Sequence, residues 1–142
     1  MGDKRRILLV DDEPNIIKMV GKRLEVEGFD VLTTLEGQDG LTKAQTVRPD
    51  LVILDLMLPK LNGYEVCRLL KFDQKFQHIP VILFTARTQQ QDEQLGRECG
   101  ADAYVRKPFK AQELLALVRG LLEPPPPAVP DGPGGGGERP DG

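Results

Sequence analysis

The stretch "RILLVDDEPN", residues 6–15, runs apolar residues straight into three consecutive acids and then a proline. Ile7, Leu8, Leu9 and Val10 read as a buried strand. Pro14 reads as the first residue of a helix, where its fixed φ fits and the amide proton it lacks would have no partner. Strand, acidic turn and helix start within ten residues make one β–α unit. Its junction poses a question, because Asp11, Asp12 and Glu13 stand side by side where like charges repel.

Outward from this stretch the unit recurs. The β-rich runs "RILLV", "DVLTTL", "LVILDL", "VILFT" and "AYVRK" alternate with helical periods, the signature of a parallel sheet with crossover helices. The first helix carries Ile17, Val20 and Leu24 on one stripe and closes at Gly28. A second covers about Gln38 to Val47 and stops before Pro49. A third starts at Asn62, which forms a capping box with Glu65, and buries Val66, Leu69 and Leu70. A fourth runs from about Thr88 to Cys99, and a fifth sets Leu114, Leu115, Val118, Leu121 and Leu122 on one side. "LVILDL" and "VILFT" are nearly continuous apolar runs, as strands covered on both faces must be, whereas "DVLTTL" and "AYVRK" carry polar residues and read as edges. The expected fold is an α/β, flavodoxin-like, doubly wound five-stranded parallel sheet of order 2-1-3-4-5 with five helices.

The whole chain of 142 residues, 39% hydrophobic, is the size of one domain with a single core. Residues 1–122 are the expected domain. Residues 123–142, "EPPPPAVPDGPGGGGERPDG", hold seven of the twelve prolines and six of the fifteen glycines, with almost nothing apolar, and read as a disordered tail. Of 22 acids and 19 bases, the tail takes four acids and one base, so the body is neutral. A neutral body without a Lys/Arg block argues against direct nucleic-acid binding. Only four apolar residues follow the basic start "MGDKRR", too few for a signal peptide, and no run approaches a membrane span. The expected localisation is cytoplasmic, with no membrane partner. Cys67 and Cys99 belong to no metal or redox motif and read as buried free thiols.

In the expected strand order the acids acquire a purpose. The first strand ends in Asp11 and Asp12, the third in Asp55, the fourth in Thr85, and the fifth in Lys107 followed by Pro108. The first and third strands are neighbours where the winding reverses. Three carboxylates at that point need a cation, and a hard divalent ion such as Mg²⁺ suits an all-oxygen site that keeps room for water and a phosphate oxygen. Helix capping by an acid before Pro14 explains one carboxylate, not all three.

At "LLVDDEP", "LVILDLMLPKLNGYEV", "IPVILFTA" and "GADAYVRKPF" the chain resembles the response-regulator receiver domains of bacterial two-component signalling, in the stand-alone, chemotaxis-regulator-like form. The resemblance spans roughly residues 5–122. It implies that Asp55 accepts a phosphoryl group, that Asp12 ligates Mg²⁺ directly and Asp11 through water, and that Met57 contributes a backbone carbonyl. It makes Thr85 and Lys107 the catalytic partners of the phosphoryl oxygens, with Ala86 leaving space beside them, Thr85 and Tyr104 the switch pair, and Pro108 a candidate cis proline. The donor would be a sensor histidine kinase or a histidine phosphotransfer protein, because His78, the one histidine, lies in a loop away from the acids. The output would be a protein target on the face made by the fourth helix, fifth strand and fifth helix. Such a protein is not an enzyme in the usual sense, although it catalyses its own phosphorylation and dephosphorylation. Ala103, where dimerising receivers often carry a second acid, argues against such a dimer.

Other readings remain at this level: a phosphorelay intermediate, a receiver fragment of a longer regulator, or a haloacid-dehalogenase-type phosphatase. The last needs an Asp two residues after the nucleophile, where this chain has Met57. No glycine-rich nucleotide loop occurs in the sequence.

Overall fold

The computed structural model describes residues 4–85 and 98–122. Five parallel strands, β1 (Arg6–Val10), β2 (Asp30–Thr34), β3 (Leu51–Asp55), β4 (Val81–Thr85) and β5 (Ala103–Arg106), form one sheet of order β2-β1-β3-β4-β5. Every residue of β3 and β4 is buried, while β2 and β5 are only partly so, as sheet edges are.

Four helices lie in the described residues: α1 (Pro14–Val26), α2 (Gly37–Val47), α3 (Gly63–Lys71) and α4 (Ala111–Leu122), the last being the fifth one expected. The expected helix from about 88 to 99 falls mostly outside the described residues, where only Glu98 and Cys99 are helical. The tail, residues 123–142, also lies outside them.

Side chains alternate across each strand and so build two cores. Ile7, Leu9, Ile53, Ile82, Phe84 and Val105 pack with Val20 and Leu24 of α1 and Leu114, Leu115 and Val118 of α4. Leu8, Val10, Val52, Leu54, Val81 and Leu83 pack with Leu41 and Ala44 of α2 and Val66, Cys67 and Leu70 of α3. Leu69 departs from expectation: it is 49% exposed, because the inward stripe of α3 runs through positions 66, 67 and 70 and leaves 69 on the flank. Leu121 and Leu122 are only partly covered.

Helix ends follow local chemistry. Gly28, at φ 99°, reverses the chain after α1, and Arg48, at φ 55°, does the same before Pro49, where a helical residue would clash. The Asn62–Glu65 capping box forms in both directions, with Glu65 N donating to Asn62 at 2.9 Å and Asn62 N to Glu65 at 3.2 Å. At α1 no acid caps through its side chain; Glu13 is the cap residue and its own amide donates to Asp11 Oδ1 at 2.9 Å.

Beyond β4 the Asp102 carboxylate accepts from Val81 N at 2.8 Å and from Lys71 Nζ at 2.9 Å. Lys71 also donates to the carbonyls of Gln77 and Ile79. This ties α3, the loop before β4 and the entry to β5 at the end of the sheet opposite the acids.

Candidate functional site

Parallel pairing sets the carboxyl ends of all five strands on one rim. Val10 pairs with Leu54 in register, so Asp11 leaves β1 beside Asp55, the last residue of β3. The Asp11 amide donates back to Thr34 O of β2, and Leu56 N donates to Phe84 O of β4. These backbone bonds hold the turns on both sides of the rim.

The carboxylates of Asp11, Asp12 and Asp55 converge, with one ligand oxygen from each lying within 4.8 Å of the others. Asp11 and Asp55 are buried and Asp12 is exposed. Asp55 is held above the ordinary aspartate range, chiefly by burial and further by repulsion from Asp11 and Asp12. The Met57 amide, donating to Asp55 Oδ1 at 3.1 Å, and the nearby Lys107 act the other way without cancelling the effect. The Met57 side chain itself is half exposed at the mouth.

Lys107 closes the site from the far side of the sheet. Its amide donates to Thr85 O, and its Nζ stands 3.0 Å from Asp11, 2.8 Å from Glu13 and 3.5 Å from Asp55. Burial alone would lower the pKa of its ammonium, but hydrogen bonds to Glu13 and Asp11 and the charges of Asp55 and Asp11 hold it above the usual lysine range. The peptide bond between Lys107 and Pro108 is cis, and Phe109 beyond it stacks on Phe84 with ring centroids 4.8 Å apart. Thr85 is buried at the end of β4, next in the strand to Phe84. Tyr104 of β5 pairs with Leu83 and is partly buried against the α3-side core. Ala86 and Arg87 lie outside the described residues. His78 is exposed in the turn before β4, away from the acids.

The donor set suits a hard divalent cation, since all three side chains offer carboxylate oxygens, and the two withdrawn from water, Asp11 and Asp55, share Lys107 with Glu13. Among the described residues no other group of three His, Cys, Asp or Glu side chains meets this description. The two cysteines are free and buried; the Cys67 thiol donates to the Cys99 carbonyl at 3.5 Å, and its interaction with Cys99 together with burial pushes it well up, making it inert.

Two contributors carried no signal in the sequence. Glu13 suits the positive end of α1, yet its carboxylate lies on Lys107, 94 residues away. Gly63, the first residue of α3, packs directly on the backbone of Asp55. A glycine after a capping asparagine gives no hint of that contact.

A family model described as the response regulator receiver domain matches residues 7–119. The DNA-binding response regulator MtrA of Mycolicibacterium smegmatis is 48% identical over 119 residues, covering 84% of this chain and 51% of MtrA. The alkaline phosphatase synthesis transcriptional regulatory protein PhoP of Bacillus subtilis is 45% identical over 118 residues, covering 83% of this chain and 48% of PhoP. The chain thus spans about half the length of the curated relatives it matches. In structure it resembles the receiver domain of sensor histidine kinase PA1611 from Pseudomonas aeruginosa, determined with a magnesium ion coordinated in the active-site cleft. The TM-score is 0.78 at 28% identity, covering 84% of this chain and 98% of that one.

Two expectations are corrected by these relatives. The stand-alone, chemotaxis-regulator-like form is not supported, because MtrA is a DNA-binding regulator about twice the length of the match. The exclusion of nucleic acid as a direct partner conflicts with the same finding. Charge balance over residues 1–122 describes the surface of this domain and carries no information about the other half of such a regulator. No helix among the described residues is long and apolar enough to cross a membrane.

Proposed function

This chain belongs to the response regulator receiver domain family and is a phosphorylation-dependent signalling switch, and from that premise we propose that Asp55 is the residue phosphorylated. The observation that supports this reading is the convergence of Asp11, Asp12, Asp55 and Lys107 where β1 and β3 end side by side. An Asp55 oxygen attacks the phosphorus of a partner's phosphohistidine, the P–N bond breaks, and the imidazole leaves with the electron pair. No general base is required, because the attacking carboxylate is ionised already.

Asp12 and Asp55 would hold Mg²⁺ directly, Asp11 through water, and Met57 through its backbone carbonyl. Bound there, the ion would neutralise charge on the transferring group. Lys107 holds one phosphoryl oxygen, and the Thr85 hydroxyl moves to another. Tyr104, paired with Leu83 two residues before the β4 end, follows Thr85 inward and passes the change to the outer surface. The same pocket governs the chain's own dephosphorylation, so its catalysis is confined to itself. Similarity to MtrA and PhoP supports an output through transcriptional control by a DNA-binding regulator. Residues 1–122 are the receiver, and chain cut after Leu122 should keep its fold and phosphorylation.

Incubation with acetyl phosphate and Mg²⁺, followed by intact-mass measurement, tests the assignment. One phosphate should add to the wild type and none to Asp55→Asn or in excess chelator. Full labelling of Asp55→Asn would refute it.

A further inference from the structure

The lysine of the site has a partner that phosphoryl acceptance does not need. Its shortest contact is to Glu13 Oε1 at 2.8 Å, followed by Asp11 Oδ2 at 3.0 Å, whereas Asp55 Oδ2 stands off at 3.5 Å. Glu13 reaches in from solvent, its side chain 58% exposed, while that of Asp11 is fully buried. The Glu13 backbone is pinned at the start of α1, where its carbonyl accepts from both Ile16 N and Ile17 N. Its carboxylate therefore swings from a fixed base.

For Lys107 to hold a phosphoryl oxygen on Asp55, Nζ must move toward Asp55 and release a present partner. The two partners differ in what release costs. The Asp11 side chain is fully buried, so leaving its charge without a cation is expensive. Glu13 turns into solvent at little cost.

We propose that Glu13 is a positioning residue that restrains Lys107 before phosphorylation, holding the ammonium on the α1 side of the pocket until Asp55 is charged with phosphate. The proposal rests on Asp55 being the acceptor. In the resting state Glu13 competes with Asp55 for the Lys107 ammonium. Phosphorylation adds negative charge at Asp55, tips that competition, and frees Glu13.

Glu13→Gln keeps the shape and removes the charge. Glu36→Gln is the comparison, because Glu36 is exposed near the same rim, while the ion partners of Lys107 among the described residues are Glu13, Asp11 and Asp55. With acetyl phosphate and Mg²⁺, Glu13→Gln should be phosphorylated faster by about two- to fivefold, the range of an ion pair with one exposed partner. Glu36→Gln should show clearly less. In metal-free protein the Lys107 side-chain ¹⁵Nζ resonance, assigned by its loss in Lys107→Arg, should shift in Glu13→Gln and stay in place in Glu36→Gln.

An unchanged or slower rate in Glu13→Gln overturns the proposal. So does an equal acceleration in Glu36→Gln, which would make the effect one of general charge on an anionic donor, or an unmoved Lys107 resonance. If no variant and no wild type is labelled at Asp55 although the resonance shifts, the acceptor assignment has failed, and the proposed role falls with it while the contact stands.

Discussion

Gly63 packs so closely on Asp55 that a β-carbon at position 63 would overlap the Asp55 carbonyl oxygen and approach the carbonyl carbon to 2.8 Å and Leu56 Cα to 2.9 Å. Gly63 N also donates to Leu56 O at 3.1 Å. The first turn of α3 is thus seated on the peptide that carries the proposed acceptor, and the neighbours are backbone atoms that cannot yield by a rotamer change.

Gly63→Ala should therefore destabilise the domain by about 1–3 kcal/mol through overpacking, despite the better helix propensity of alanine. It should also slow phosphorylation by displacing Asp55. Gly120→Ala, in α4 with open space around it, should instead gain about 0.5–1 kcal/mol. Urea titration of both variants checks the opposite signs.

Asp55→Asn should stabilise the protein in chelator at neutral pH, by about 0.5–2 kcal/mol, because it removes a buried carboxylate that its acidic neighbours repel. The sign of the pH dependence follows from the raised folded-state pKa. The folded protein binds this proton more tightly than the unfolded chain, so the cost is present above the folded pKa and fades as pH falls through it. The gain from asparagine should shrink on acidification, and a saturating concentration of Mg²⁺ should reverse it by stabilising the wild type alone. Thermal melts at several pH values, with and without Mg²⁺, measure both.

Lys71 and Asp102 form the anchor at the opposite end of the sheet. Asp102→Ala leaves Val81 N and the Lys71 ammonium without a carboxylate, and should cost about 1–3 kcal/mol. Lys71→Met should cost a similar amount, since the Gln77 and Ile79 carbonyls lose their donor. The double variant should lose less than the two single losses together, as expected for groups that share a bond. Equilibrium unfolding of the three variants tests the coupling.

Met57 bears on the lifetime of the phosphorylated state. Its amide is committed to Asp55, whereas its half-exposed thioether offers nothing that orients a water for attack on phosphorus. The phosphate should be lost over many minutes. Met57→Asn or Met57→Glu should shorten that time, and Met57→Leu should leave it unchanged. A Phos-tag time course distinguishes them.

The sequence by itself determined the strands, their order and the rim. Short continuous apolar runs between turn residues fit central strands, alternation with helical periods fits a parallel sheet, and acids or a lysine at the strand ends then meet wherever that sheet is formed. These are local patterns read against a general topology, so Asp11, Asp12, Asp55, Thr85 and Lys107 were legible one strand end at a time. Leu69 marks the limit of local pattern, because a helix stripe two residues wide at its edge does not declare which neighbour it buries. Tertiary structure alone decided that Glu13 bonds Lys107, that Gly63 bears on Asp55 and that Lys71 reaches Asp102. Each joins residues from separate elements over distances of a few ångströms, and no spacing along the chain encodes such an approach. It follows from how α1 and α3 pack against the sheet and how β5 pairs at its edge.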